Sequence, residues 1–95
     1  MKDSSKSFKD ALVGFLKDAR LEQKFKEKKL VYSWRELMGT TIANRTKKLY
    51  VKNKVLYVSL SSSVLRHELT MAKDKMLQII DVNFGINTIE DIVFR

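Results

Sequence analysis

Between Lys48 and Leu60 the spacing of apolar residues changes from a period near 3.6 to a period of 2. Leu49 and Val51 alternate with Lys48, Tyr50 and Lys52. Beyond Asn53-Lys54, Leu56, Val58 and Leu60 alternate with Val55, Tyr57 and Ser59. Successive side chains of a strand point to opposite sides, so this alternation suits two strands with one buried face each. Only two residues separate them. Asn can enter the positive-φ region that such a tight turn requires, although Lys is less favourable there than Gly. The spacing therefore predicts a β-hairpin with Leu49, Val51, Leu56, Val58 and Leu60 directed at a core.

The flanks read as helices. Ser5 or Ser7 can cap a first one, in which Phe8, Leu12, Phe15/Leu16 and Ala19 follow the helical period. Gly14 inside it costs about 1 kcal/mol relative to Ala. A second apolar set begins at Leu21 and Phe25, meets Lys28 and Lys29, and restarts out of phase at Leu30, Trp34, Leu37 and Thr41. That pattern predicts a kink or a break near Lys28–Lys29, followed by a helix ending about Met38. Gly39 is placed for a positive φ, and Thr40–Thr46 forms a further short turn with Ile42 and Ala43 inward. After the hairpin, Ser61-Ser62-Ser63 supplies caps for one long helix carrying Leu65, Leu69, Ala72, Met76 and Ile79/Ile80. Gly85 ends it, and Ile89–Phe94 is a last short strand with Ile92 and Phe94 on one parity.

The order helix, helix, strand, strand, helix, strand implies an α+β two-layer architecture with helices on one face of a three-stranded sheet. The last strand runs parallel to the second, and it can lie beside that strand or antiparallel beside the first. With no Pro, three Gly and no repeat, residues 1–95 read as a single domain. Residues 1–7 are expected to be a flexible N-terminus.

Charge narrows the function. The 95 residues carry a net charge of +8. Residues 1–54 hold 15 basic and 6 acidic groups; residues 55–95 hold 4 and 5. No Asp or Glu occurs from Leu37 to His67, a window containing Arg45, Lys47, Lys48, Lys52, Lys54 and Arg66. Cations without counter-charges favour a polyanion, of which nucleic acid is the commonest in cytoplasm. The absence of Cys excludes disulfides, thiolate zinc sites and cysteine catalysis, and agrees with a reducing compartment. Near the N-terminus the longest uncharged run is Ala11–Leu16, too short for a signal core or a membrane span. The expectation is a soluble cytoplasmic protein with no membrane partner.

Catalysis has little to stand on. His67 is the sole histidine, and its neighbour Glu68 points about 100° away on a helix. Asp74, Asp81, Glu90 and Asp91 lack metal-loop spacing, and no phosphate-loop or dinucleotide fingerprint is present. A non-enzyme is expected, with no cofactor, no metal and no small-molecule substrate. Trp34 falls on a core stripe, Met38, Met71 and Met76 read as gap-fillers, and Lys24, Lys26, Lys28 and Lys29 as solvated surface diluted by Glu22 and Glu27.

Binding has more support. If the apolar parity faces the helices, the opposite sheet face carries Lys48, Tyr50, Lys52, Val55, Tyr57 and Ser59. Tyrosines among lysines suit single-stranded nucleic acid: rings stack on bases for roughly 1–3 kcal/mol each while lysines neutralise phosphates. Arg45, Lys47, Lys48, Lys52 and Lys54 are the candidate phosphate contacts, Tyr50 and Tyr57 the stacking rings. Arg66 would support them from the start of the next helix. Two other readings stay open: the tyrosines simply pair across the hairpin, or the face covers a protein partner.

One longer pattern cuts across these elements. Trp34-x4-Gly39-x2-Ile42-Ala43-x2-Thr46-x2-Leu49 is followed by Val55-Leu56-Tyr57-Val58, Ser61-Ser62-Ser63, Leu65 and Glu68-Leu69. In order and spacing it resembles the DciA family, bacterial replication proteins that act on the replicative helicase, in their short Bacteroidetes-type form. The resemblance spans about residues 8–95. It implies a KH-like domain, an adaptor that binds both single-stranded DNA and the replicative helicase and helps place the ring on DNA. The Gly-x-x-Gly loop by which KH domains clamp nucleotides is absent here. A pure protein-interaction module and an RNA-binding domain are the alternatives.

Overall fold

The computed structural model describes residues 4–16 and 18–95. Its first ordering element is the hairpin. Strand β1 (Thr46–Lys52) pairs antiparallel with β2 (Val55–Leu60), and both turn residues have positive φ, 52° at Asn53 and 63° at Lys54. That is the signature of a type I′ turn, whose twist matches the strands it joins. The third strand, β3 (Asp91–Phe94), lies parallel beside β2, with Leu56 opposite Ile92 and Val58 opposite Phe94. The sheet order is β1-β2-β3, so the choice left open by the spacing falls to the parallel arrangement. Both ends of this pairing are extended by backbone bonds, Glu90 N–H to the Lys54 carbonyl at 2.8 Å and Leu60 N–H to the Arg95 carbonyl at 2.7 Å.

Four helices precede the hairpin: α1 (Ser4–Leu16), α2 (Ala19–Tyr32), α3 (Trp34–Met38) and α4 (Thr40–Asn44). Two more, α5 (Ser63–Met71) and α6 (Lys73–Phe84), join β2 to β3. Helices α2, α4, α5 and α6 pack on one face of the sheet, with α3 wedged beside them and α1 lying on α2. Leu30, Trp34, Leu56, Val58, Leu60, Leu69, Met76, Ile80, Ile89 and Ile92 form the buried core, with Ile42, Ala43, Leu49 and Val51 packed against it. Each fully buried aliphatic side chain contributes about 1.5–3 kcal/mol, which makes this core between the sheet and its helices the principal source of stability. The architecture is α+β, as the element order implied.

Several local expectations are corrected. No break occurs at Lys28–Lys29, because α2 runs unbroken to Tyr32. Its sheltered line is Gln23, Lys26, Glu27 and Leu30, while Phe25 is 54% exposed. Polar groups can occupy that line because they have partners: the Gln23 side-chain amide donates to the Thr88 carbonyl at 2.8 Å and to Glu27 at 2.7 Å. The break comes instead at Ser33. Helix α3 ends at Met38, and Gly39 takes φ 89°, as expected.

The long downstream helix is divided at Ala72, whose N–H donates to both the Glu68 and Leu69 carbonyls. The division lets α5 pack on β2 and β3 while α6 turns toward β3 and α2. Ser62 is its N-cap, accepting from Leu65 N–H at 3.1 Å, and Gly85, with φ 101°, ends α6. In α1, Ser5 and Ser7 lie inside the helix rather than capping it, and Ala19 belongs to α2. Phe8 is 69% exposed and Leu12 45%; the element against which α1 chiefly packs is α2, and neither side chain joins the buried core. The side chains of Phe15 and Leu16 lie outside the described residues.

At the start of β3, Ile92 N–H donates to Asp91 Oδ1 at 2.8 Å and Lys73 Nζ lies 3.2 Å from the same oxygen. The backbone bond first, and Lys73 second, hold this carboxyl below its ordinary value of 3.8. A depressed carboxylate stabilises the fold above its unfolded pKa and loses that contribution as pH falls through the folded value. Asp91→Ala should therefore lower stability at pH 7 by no more than about 1 kcal/mol, since the pair is half exposed, and urea melts of variant and parent should converge at strongly acidic pH. Lys54 bears a side chain in the left-handed region at a cost of roughly 1–2 kcal/mol. Lys54→Gly should raise the urea midpoint, and a lowered midpoint would show that the Lys54 side chain contributes more than its strain costs.

Candidate nucleic-acid interface

The sheet face turned away from the helices carries Lys48, Tyr50 and Lys52 from β1, Val55, Tyr57 and Ser59 from β2, and Asp91 and Val93 from β3, with Arg95 just beyond. These residues are exposed or half-buried. Tyr50 and Tyr57 are direct cross-strand partners and stack on each other, with ring centroids 5.0 Å apart and planes 15° from parallel. Lys48 Nζ sits 5.4 Å from the Tyr50 centroid. The guanidinium carbon of Arg95 sits 4.6 Å from the Tyr57 centroid, and its Nη1 donates to the Tyr50 hydroxyl at 3.2 Å. The negative ring faces attract these cations. The result is a cation-flanked aromatic pair rather than two independent rings.

Strand β1 carries one irregularity that decides which residues reach this face. Thr46 pairs with Leu60 and Lys48 with Ser59, leaving Lys47 as the extra residue of a β-bulge. Simple alternation would put Thr46 beside Lys48. The bulge turns it inward, where its hydroxyl accepts from Trp34 Nε1 at 3.1 Å and donates to the Ile42 carbonyl at 2.8 Å. A buried indole N–H is thereby satisfied, and the cost of leaving it unpaired is avoided.

The remaining candidates are distributed around the sheet. Arg45, exposed at the start of β1, donates to the Thr41 carbonyl at 3.4 Å. Lys47 projects at the bulge. Lys54 leaves the aromatic pair and lines a polar recess with Arg20, Lys26 and Thr88. Arg66 folds back, with Nη2 3.5 Å from the Leu60 carbonyl and Nε buried without a partner. The structure thus gathers Lys48, Tyr50, Lys52 and Tyr57, and adds Arg95, which the sequence reading did not single out. Its signal was parity: once β3 is set beside β2, Asp91, Val93 and Arg95 share the face of Tyr57. That placement was undetermined until the pairing was known.

No group of three or more His, Asp or Glu side chains among the described residues is arranged to hold a metal ion. No described helix is long and apolar enough to cross a membrane.

A family model described as Dna[CI] antecedent, DciA, matches residues 7–94. The chain belongs to the DciA family. The match runs from within α1 to the last residue of β3, so Tyr50, Tyr57 and Lys48 lie inside the family's region, and Arg95 falls one residue past it. Members are associated with loading of the replicative helicase, which gives this DciA-family chain a replication-associated adaptor role and aligns it with no known enzyme family. Among curated proteins no match is found.

The aromatic pair should be measurable on its own. A double-mutant cycle on Tyr50→Leu and Tyr57→Leu, read by urea unfolding, is expected to give a coupling of about 0.5–1.5 kcal/mol, the usual excess of a stacked pair over its burial. Strict additivity would mean that the rings contribute only as separate strand residues.

Proposed function

We propose that this chain is a non-enzymatic, cytoplasmic adaptor that binds single-stranded DNA on the open face of its sheet and assists recruitment or loading of the replicative helicase. The observation that carries this reading is the Tyr50–Tyr57 stack with Lys48 and Arg95 against it, on the sheet face opposite the helices, in a chain of the DciA family. Planar groups accept bases by stacking, and a guanidinium adds a further flat surface beside the rings. Lys48, Lys52 and Arg95 neutralise phosphates along the strand, extended by Arg45 and Lys47 at one end of β1. Lys54 and Arg66 contribute long-range charge rather than contacts at the rings.

Because each tyrosine has its partner against one face and a cation over its ring, the platform offers the flat Arg95 guanidinium and the ring edges instead of slots between rings. That geometry suits sequence-tolerant binding. It equally favours a second reading, in which the same cations meet an acidic protein surface and no base stacks at all.

The decisive comparison uses Lys48→Glu with Lys52→Glu. Both side chains are exposed, so the circular-dichroism spectrum should be unchanged. Affinity for a single-stranded oligonucleotide should fall at least about tenfold, and the parent's log–log salt slope should be about −0.7 for each phosphate neutralised. Unaltered oligonucleotide binding removes the sheet face from the proposal. Loss of helicase capture in a chain that never bound oligonucleotide establishes the second reading. Tighter binding to RNA than to DNA of the same sequence would instead mark the 2′-hydroxyl as part of the ligand.

A further inference from the structure

Strand β1 ends the sheet, so one of its edges has no partner strand. The turn fixes which backbone groups face that edge. In a two-residue hairpin the pair flanking the turn, here Lys52 and Val55, exchanges both hydrogen bonds, and every second pair does the same. Tyr50–Tyr57 and Lys48–Ser59 are therefore bonded pairs, and Leu49 and Val51 turn N–H and C=O outward. No loop or cap backbone bond among the described residues uses these groups.

The same two residues send their side chains into a groove between β1 and α2. Leu49 and Val51 form one wall, Val31 and Tyr32 the other, around an open volume of about 420 Å³. Past Tyr32 it adjoins a recess of about 300 Å³ beside Ala43 and Lys47. Such volumes are typical of recognition clefts. Tyr32 is 93% exposed, leaving an aromatic ring beside the groove with little packed on it.

Charge selects the occupant. Lys24 and Lys28 line the groove on α2, and Lys48 and Lys52 stand on the outer side of β1. Glu27 is the one carboxylate of the lining, and it already accepts from the Gln23 amide. A second copy approaching edge to edge would set lysines against lysines, which cross-strand pairing penalises. A strand with acidic residues on its outer side and apolar residues on its inner side satisfies the lysines, the groove and the backbone together.

We propose that the free edge of β1 takes up an extended acidic segment of a partner protein as a fourth strand, with alternate apolar side chains seated between β1 and α2. Main-chain bonds supply affinity and the groove supplies selection, the mode known as β-augmentation. This surface adjoins the stacking face and shares Tyr50, Lys48 and Lys52 with it. The edge backbone and inward side chains of Leu49 and Val51 belong to this surface alone, and it stands whether or not DNA binds the open face.

The test titrates isotope-labelled full chain with a short acetylated and amidated peptide that alternates glutamate and valine. Amide signals of Leu49 and Val51 should shift most, and their hydrogen exchange should slow. N-methylating the valines should weaken binding about tenfold or more if the strand adds antiparallel, and N-methylating the glutamates should do so if it adds parallel. The other methylated series should bind as the parent does. Val51→Pro removes an outward N–H without touching the bonds to β2, so it should abolish peptide binding and leave oligonucleotide binding unchanged. Equal binding of both methylated series would overturn the proposal, as would equal binding of a lysine–valine peptide. Concentration-dependent protection of Leu49 and Val51 without peptide would assign the edge to a second copy instead. If Val51→Pro fails to fold, the methylated peptides still decide.

Discussion

The register of the hairpin is the constraint on which the other features rest. Side chains alternate with a period of two, so a slip of one residue would carry Leu49 and Val51 to solvent and Lys48, Tyr50 and Lys52 into the core. The turn at Asn53-Lys54 holds the strands at one alignment, and the buried set of Leu56, Val58 and Leu60 penalises every other. From this alignment follow the meeting of Tyr50 with Tyr57, the approach of Lys48, and the outward backbone groups of β1. Strand β3 then reads its position from β2 alone, by pairing Leu56 with Ile92.

A second interaction sets the limit of that register. Alternation continued back to Thr46 would leave the Trp34 indole nitrogen in an apolar core without a partner. The bulge at Lys47 inserts one residue, brings Thr46 inward, and lets its hydroxyl bridge Trp34 and the Ile42 carbonyl. Trp34 and Thr46 are thus one structural unit linking α3, α4 and β1. Both residues fall in the pattern by which the sequence resembles its family. In the structure they fix the geometry upstream of the open sheet face.

How much of this was legible before the structure depends on the range of each interaction. The hairpin, the Ser62 cap and the positive φ of Gly39 are local: a few neighbouring residues contain the whole cause. The continuity of α2 was not legible, because apolar periodicity fails at Lys28 and Lys29, whereas the sheltered line of the helix runs through polar residues, of which Gln23 is held by the carbonyl of Thr88, far along the chain. The division at Ala72 escaped for a related reason. A straight stripe of Leu65, Leu69, Met76 and Ile80 fits one helix, and only the position of α2 requires the second half to turn. Arg95 was hidden by the same dependence on long-range pairing, since its face is defined by a neighbour chosen outside β3.

The positive charge of the N-terminal half acquires a finer meaning from this arrangement. A lysine-rich edge strand is a common defence against indiscriminate strand pairing, because like charges must approach when two such edges meet. The defence is directional. It repels another basic strand and leaves an acidic one free to approach, so the same lysines that keep β1 from its own copy define what β1 can accept. On β1 the two proposed kinds of recognition are therefore set at right angles. Side chains of Lys48, Tyr50 and Lys52 project above the sheet, while the free backbone groups of Leu49 and Val51 lie in its plane. If the proposed adaptor holds a polyanion and a protein at once, a single seven-residue strand supplies both directions.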